Sequence, residues 1–417
     1  MTTTDTERIA ARARLSERGW VPRRAESFRH LPPPAADAWL GDDARRARSA
    51  APSAPARAGW LLAPVGSGSL GHVDARWLGT ADPAERAALF ADLPTSGEGD
   101  AAPFFWAHRA LCESGLRLRI GSGSAQCPPV MLQLRLQPHA SVEAPLVVID
   151  VMPGARCVLI ESHGHEAAGR NGPITQNLRA HIRLGAGASL YHLRVATPRA
   201  LDRIAHHVHV QLECGAQYRQ SLLAASSEYH LQRTVLDLRG EHALARASGV
   251  LFASAHAKLE QQMRATHAAP RTKSAIDSLA LASGNAQIVA NAFSSIAAGA
   301  SGADLRQRLS GIPTSGEPRV VLRPHLEIHH DDVQAAHGAT WGALPEDALF
   351  YACQRGLDRR DARALIIAGM ARSALARGID APGMLETLGG DTLVAREVER
   401  HLAEQAETTA ATEVRHG

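Results

Sequence analysis

Aromatic residues make up only 4% of this 417-residue chain. A core of bulky rings is therefore excluded. With Ala and Gly abundant, the interior should be built from closely spaced layers of small side chains. Cysteine is scarce too: five residues, at 112, 127, 157, 214 and 353, none in a C-x-x-C pair. An odd, scattered set argues against a disulfide framework and suits small buried hydrophobes in a reducing compartment. The net charge of +3 is too small to call for a nucleic-acid partner. No apolar run reaches the roughly 20 residues that cross a bilayer. Asp5 and Glu7 lie in a polar start unlike a secretory leader. The expected setting is cytoplasmic, with no membrane contact. No G-x-x-x-x-G-K-[ST] run is present, so the chain is expected neither to bind nucleotide nor to hydrolyse ATP.

What is present falls into three stretches, with expected boundaries at residues 1–115, 116–330 and 331–417. In the first, Asp5 or Thr6 can cap a helix ending near Gly19, and helical patterns recur from Ala84 to Ala91 and from Pro103 to about Gly115. Pro32, Pro33, Pro34 and the Arg45–Arg48 region read as loop or linker. Gly66-Ser67-Gly68-Ser69-Leu70-Gly71 spells G-x-G-x-x-G, but no helix follows to complete a dinucleotide site, so it reads as a turn. The first stretch is expected to be helical with loops.

From Leu116 the period changes to two. Leu116, Leu118 and Ile120 alternate with arginines, and Val130, Leu132, Leu134 and Leu136 alternate with longer polar or flexible residues. An apolar–Gly–Ala step returns before successive strands, with Gly154, Gly187, Gly215 and Gly240 spaced by 33, 28 and 25 residues. Loose self-similarity at such periods points to stacked coils, a β-rich solenoid. Histidines crowd here, at 163, 165, 181, 192, 206, 207, 209, 230 and 242. His163-x-His165 puts two imidazoles on one face of a strand and is a candidate metal site for a cupin-like enzyme. Adjacent Glu166 would point away, so the default expectation is a polar outer face of the solenoid. Gln261, Gln262, Gln287 and Gln307 are expected to form stacked polar ladders.

The organising stretch is Pro324 to Gly342, which begins as a strand at Leu326 and Ile328. It then reads as a polar junction loop (residues 329–344) carrying Asp331, Asp332 and His337, with Gly338 and Gly342 giving it freedom to bend. After it come helices: Pro345 at a helix start, Gly356 as a left-handed stop, Asp358 as the next cap, and a third helix from about Asp391 to Glu407 with a frayed tail.

Leu326-Glu327-Ile328, Asp331-Asp332-Val333, His337-Gly338-Ala339-Thr340, Leu349-Phe350-Tyr351, Gln354-Arg355-Gly356-Leu357 and Ala362-Arg363 together resemble the SufD family, SufB-like subunits of the SUF iron–sulfur cluster assembly scaffold. Pro22, Arg24, Glu26, Phe28 and Arg29 are similar to that family's N-terminal entry, and Arg233, Leu236, Leu238 and Gly240 to one of its strand–turn segments. The resemblance implies a mainly β fold: a right-handed parallel β-helix flanked by N- and C-terminal helical domains. It implies a non-enzymatic scaffold that pairs with a SufB-like subunit, or forms a homodimer in isolation, and binds a SufC-like ATPase. A transient iron–sulfur cluster would be shared with the partner, with His337 as the ligand carried over and Asp331, Asp332, Gly338 and Thr340 at the interface. Leu349, Phe350, Arg355 and Gly356 would belong to the ATPase-docking module. Many family members have a cysteine two residues before the histidine; here it is Ala335. Rival readings are a SufB-type subunit, the metal-dependent enzyme at His163 and His165, and a carbohydrate-active β-helix, for which the strands offer too few acids.

Overall fold

The computed structural model describes residues 3–41, 60–65, 72–95, 97, 99–121, 129–138, 140–163, 172–379 and 381–416. Two sheets face each other along one axis. The first contains, in spatial order, β1 (Trp60–Pro64), β4 (Val130–Leu136), β7 (Arg156–His163), β9 (Ser189–Ala196), β11 (Gln217–Ala225), β13 (Leu244–Ala253), β15 (Lys273–Gly284), β17 (Ala303–Gly316) and β19 (Val333–Trp341). The second runs β2 (Val73–Gly79), β3 (Ser114–Ile120), β6 (Leu146–Val151), β8 (Thr175–Leu184), β10 (Arg203–Leu212), β12 (Tyr229–Leu238), β14 (Lys258–His267), β16 (Gln287–Ile296) and β18 (Arg319–Ile328), with short β5 (Val142–Glu143) beside β8. The chain passes from one sheet to the other and back, making a β-solenoid of about seven turns.

The recurring glycines mark its corners. Gly154, Gly187 and Gly215 have φ of 69°, 66° and 65°, a region costly for residues with a Cβ. Their amides bond the next corner: Gly154 to the carbonyl of Ala186 at 2.9 Å and Gly187 to that of Cys214 at 2.8 Å. At the next corner His242 takes the left-handed position, with φ 61°. Gly240 is needed for a different reason, since a Cβ there would overlap the backbone of Cys214.

Between the sheets the lumen is filled by small aliphatics, among them Ala245, Ala247, Ala265, Ala280, Ala290 and Ala292, all buried. This is the packing that few aromatics and many alanines require. The outer faces are covered by helices, which is why strands such as Val250-Leu251-Phe252-Ala253 are apolar on both sides. Helices α1 (Thr3–Arg18), α2 (Ala36–Leu40) and α4 (Ala102–Leu111) lie on the second sheet, where Trp39, Phe104 and Phe105 pack with Ala205, Tyr229 and Leu231; α3 (Pro83–Phe90) packs nearer its start. On the first sheet lie α5 (Glu346–Gln354), α6 (Arg359–Ile379), α7 (Met384–Thr387) and α8 (Gly390–His416), joined to it through Ile367, Ala371, Leu375 and Val398.

The two ends of the solenoid differ. At one end β1 and β2 pair antiparallel with β4 and β3 and close the first coil. These strands correct the expectation of a first stretch made only of helices and loops: Val73, Ala75 and Trp77 pack on the solenoid core. At the other end β18 and β19 are the last strands of their sheets. The stretch read as a junction loop is largely β19, which pairs with β17 from Val333 to Trp341. Gly338 is a strand residue, and neither it nor Gly342 has positive φ.

The glutamines do not form the expected ladder. Gln261 and Gln307 face the lumen, Gln262 lies on the outer face, and none of the four is the register partner of another. The G-x-G-x-x-G run and Arg45–Arg48 lie outside the described residues, as do Cys127 and His165.

Candidate functional site

The open end is where the sequence signature falls. In parallel strands, register partners point to the same side. One lumen-facing row therefore runs Leu159, His192, Gln220, Ala247, Ile276, Gln307, His337 across the first sheet. His337 ends that row. Gln307 beneath it is buried and donates to Ser294 Oγ at 2.8 Å and the His325 carbonyl at 3.1 Å. His337 itself is exposed and, among the described residues, has no hydrogen bond. Val333, Ala335, Ala339 and Trp341 share its side of β19, and Val320, Leu322, Pro324, Leu326 and Ile328 face them from β18. The mouth of the lumen is thus apolar with one imidazole at its rim.

The other residues of the signature lie around this mouth. Asp331 and Asp332 form the exposed turn before β19, and the Asp332 carbonyl accepts the Gly302 amide at 2.7 Å. Gly338 and Thr340 sit on the outward side of β19, opposite Arg308 and Ser310. A groove of about 540 Å³ runs between β19 and α6 and reaches the mouth, lined by Asp277, Arg306, Arg308 and Arg377 and by His337 itself.

Exposed apolar surface is concentrated nearby. Of the seven large apolar side chains exposed among the described residues, Ile328, Trp341, Phe350, Tyr351 and Leu365 lie between the last two strands and α6. Phe350 is 67% exposed and Tyr351 60%, whereas Leu349 turns into the bundle core. The Arg355 guanidinium lies 4.8 Å from the Tyr351 ring centre, and Gly356 ends α5 with φ 92°.

The histidines of the central strands divide between the two faces: His181, His207 and His209 lie on the outer face of the second sheet, His207 beneath Phe104 and His209 paired with Asp237 at 2.7 Å. His163, His192, His206 and His230 are buried inside the lumen, on the side of their strands that also carries Leu159, Val208 and Leu236. His163, His192 and His206 surround Glu161, which is 1% exposed. Glu161 accepts from His163 Nε2 at 2.5 Å and His192 Nε2 at 3.0 Å, while the Arg194 Nε lies 3.5 Å away. Arg194 Nη2 donates to His206 Nδ1 at 2.5 Å and Gln232 Oε1 at 2.9 Å. Burial would raise the Glu161 pKa, but the Arg194 charge and these hydrogen bonds outweigh it and hold the carboxyl well below its usual range. Burial keeps His206 and His230 neutral, pushing His230 down to about 4.

Donor atoms of Glu161, His163 and His206 approach closely enough to share an ion. However, the Arg194 guanidinium already supplies the positive charge there, and a dication beside it would bury two net charges at prohibitive cost. The cluster is an internal ion pair with a histidine shell. Reasoning from sequence missed Arg194 and Tyr218, whose hydroxyl meets His192 Nδ1 at 3.0 Å. A signal existed: Glu161 and Arg194 are separated by the same offset as Gly154 and Gly187, one coil.

Comparison with known proteins gives the family. Residues 135–370 match the SUF system FeS cluster assembly SufBD core domain, and the chain belongs to that family. Within it, the chain is a homologue of SufD. It is 23% identical over 263 residues to the iron–sulfur cluster assembly protein SufD of Escherichia coli K12, covering 62% of this chain and 61% of that protein. It is 24% identical over 294 residues to a SufBD family protein of Synechocystis, covering 69% of this chain and 62% of the relative. A SufBD family protein of Mycobacterium tuberculosis H37Rv is 29% identical over 132 residues, 32% of this chain and 16% of that protein. The chain therefore spans about three fifths of the length of the first two.

Proposed function

We propose that this chain is a non-enzymatic scaffold subunit for iron–sulfur cluster assembly that pairs through its open solenoid end with a SufB-like subunit. The observation that carries this reading is the uncapped mouth formed by β18 and β19, apolar inside and bearing His337 at its rim. A solenoid end of this kind is normally covered by a capping unit, and a partner's end coil supplies one. His337 then lies in the contact and serves as one ligand of a nascent cluster shared by both chains. Iron accepts a neutral imidazole nitrogen, and an incomplete ligand set on each side favours onward transfer. Asp331, Asp332, Gly338 and Thr340 border the contact. The cluster is cargo, and Ala335 offers no thiolate to it.

The exposed Phe350 and Tyr351 of α5, with Leu365 of α6, support docking of a SufC-like ATPase on the C-terminal module. The lack of a P-loop fits a division of labour in which hydrolysis belongs to that partner. Among the described residues no helix is long and apolar enough to cross a membrane, and a cytoplasmic setting is part of this reading. The test is co-expression with SufB-like and ATPase subunits. Recovery of a three-component complex, and its loss when Trp341 and Ile328 are both changed to Asp, is expected. An unchanged complex would remove the open end from the interface.

A further inference from the structure

A groove of about 310 Å³ lies on the outer face of the second sheet, beside the N-terminal segment. Strand register explains its construction. The row Leu231, Glu260, Val289, Val321 is covered by the N-terminal region, with Leu231 and Val289 in its apolar core. Arg233, Gln262, Asn291 and Arg323 form the floor, and Arg264, Phe293 and His325 the far wall.

The floor is fixed in place. Gln262 Nε2 donates to the Ser27 carbonyl at 2.9 Å and to Glu260 Oε1 at 2.8 Å, and its Oε1 accepts from Arg233 at 2.5 Å. Asn291 Nδ2 donates to Glu260 at 3.1 Å, which leaves Asn291 Oδ1 with no donor. Arg323 bonds the Glu26 carbonyl at 3.0 Å and pairs with its carboxylate. The wall is a stack: Phe293 and His325 lie 5.0 Å apart at 12°, and the Arg264 guanidinium is 4.8 Å from the Phe293 ring centre. Among the described residues Arg264 has no carboxylate partner. His325 ends the stack, so one imidazole face is uncovered by a further strand.

The lining carries three guanidiniums against the single carboxylate of Glu26. Arg233 and Arg264 lie at one end of the groove and an open stacking face at the other. The volume is at the lower end of the range for small-molecule sites, roughly 300 Å³ and upward. The features follow one another along the solenoid axis from β12 to β18, a span of about 14 Å at ~4.8 Å per strand.

We propose that this groove binds a mononucleotide-sized ligand: its phosphate on Arg233 and Arg264, its sugar over the Asn291 floor, and its ring stacked on His325. The missing P-loop excludes one kind of phosphate cradle and has no bearing on a surface groove of this kind. No bond is made or broken. The site lies on the outer face, apart from His337; His325 stands at the β18 edge that the proposed partner contact would cover, so the groove is open in the unpaired chain and is tested there.

Isothermal titration of the full chain would use AMP, ribose 5-phosphate and inorganic phosphate as probes. AMP is expected to bind at least tenfold more tightly than ribose 5-phosphate, and inorganic phosphate most weakly. Arg264→Gln and His325→Ala, both at exposed positions, should each weaken AMP at least tenfold without moving the melting temperature. AMP no tighter than inorganic phosphate would mean an adventitious anion only and overturn the proposal. So would unchanged AMP affinity in either variant, or no AMP binding at millimolar concentration.

Discussion

His337 lies directly above Gln307 in the strand register, and Gln307 is anchored across the lumen to Ser294 at 2.8 Å. The rim histidine therefore stands on a fixed base while its own ring is unrestrained. His337→Ala should shift stability by no more than about 0.5 kcal/mol, as for other exposed positions. In the assembled complex the same change should abolish cluster formation, and His337→Cys should restore part of it, thiolate being the commoner ligand. Cluster yield per complex, read with the melting temperature, checks this. Full yield from the Ala variant would take His337 out of the chemistry.

Phe350→Asp should separate docking from folding. The ring is exposed, so the isolated chain should melt normally. Binding to the ATPase subunit should fall by about 2 kcal/mol or more, the size of an aromatic hot spot. Direct titration of the two proteins measures it, and undiminished affinity would move the ATPase contact elsewhere.

Gly378 lets α6 approach the first sheet. A Cβ there would overlap the Gln220 carbonyl and Ser248 Oγ, next to the bond from Ser221 Oγ to the Leu375 carbonyl at 2.5 Å. Gly378→Ala should cost about 1–3 kcal/mol as an overpacked contact. Limited proteolysis should then cut the C-terminal module before the solenoid. Simultaneous cleavage of both would contradict separate docking.

Glu260 predicts an alkaline slope in stability. Burial pushes its pKa from 4.5 up to about 8, so the native chain holds a proton that the unfolded chain has released. Stability from this group is lost as pH rises through that window. The buried histidines act in the opposite sense, with His230 and His267 pushed down by burial to about 4. Their contribution is full above the unfolded value and lost as pH falls. Between pH ~6.5 and ~8 Glu260 should dominate, lowering stability by about 2 kcal/mol. Urea melts across that range should show the slope in the native sequence and a flat profile in Glu260→Gln. Equal slopes would assign the effect elsewhere.

Removing one half of the lumen ion pair should be costly. Glu161→Gln leaves the Arg194 charge buried among neutral groups, at about 3–5 kcal/mol, while Glu161→Leu with Arg194→Met should cost far less. Chemical denaturation of both variants gives the comparison. A double change as damaging as the single one would refute the pairing.

The solenoid could be read from the glycine spacing because Gly154, Gly187 and Gly215 take left-handed corners of successive coils, and Gly240 lies where a Cβ would strike the neighbouring corner. The rim histidine was legible because its neighbours form a distinctive run. Strand β19 was not: Gln334-Ala335-Ala336-His337-Gly338-Ala339 has no apolar alternation, since its lumen side carries small residues and an imidazole. The Glu161 cluster was misplaced for a related reason. Period two separates the faces of a strand, but cannot say which is inside when helices cover the other. His163 looked like a surface residue because its alternation with Ser162 carries no such label.

The antiparallel strands β1 and β2 have one more consequence. They end the two sheets at the terminus opposite β18 and β19, in antiparallel rather than parallel pairing. The two ends therefore offer edges of different kinds, and contact through β18 and β19 uses the parallel one. When both subunits meet through this same end, like or unlike, the contact is closed and association by this route stops at two, whereas head-to-tail growth would require the differently paired β1 and β2 end to fit it.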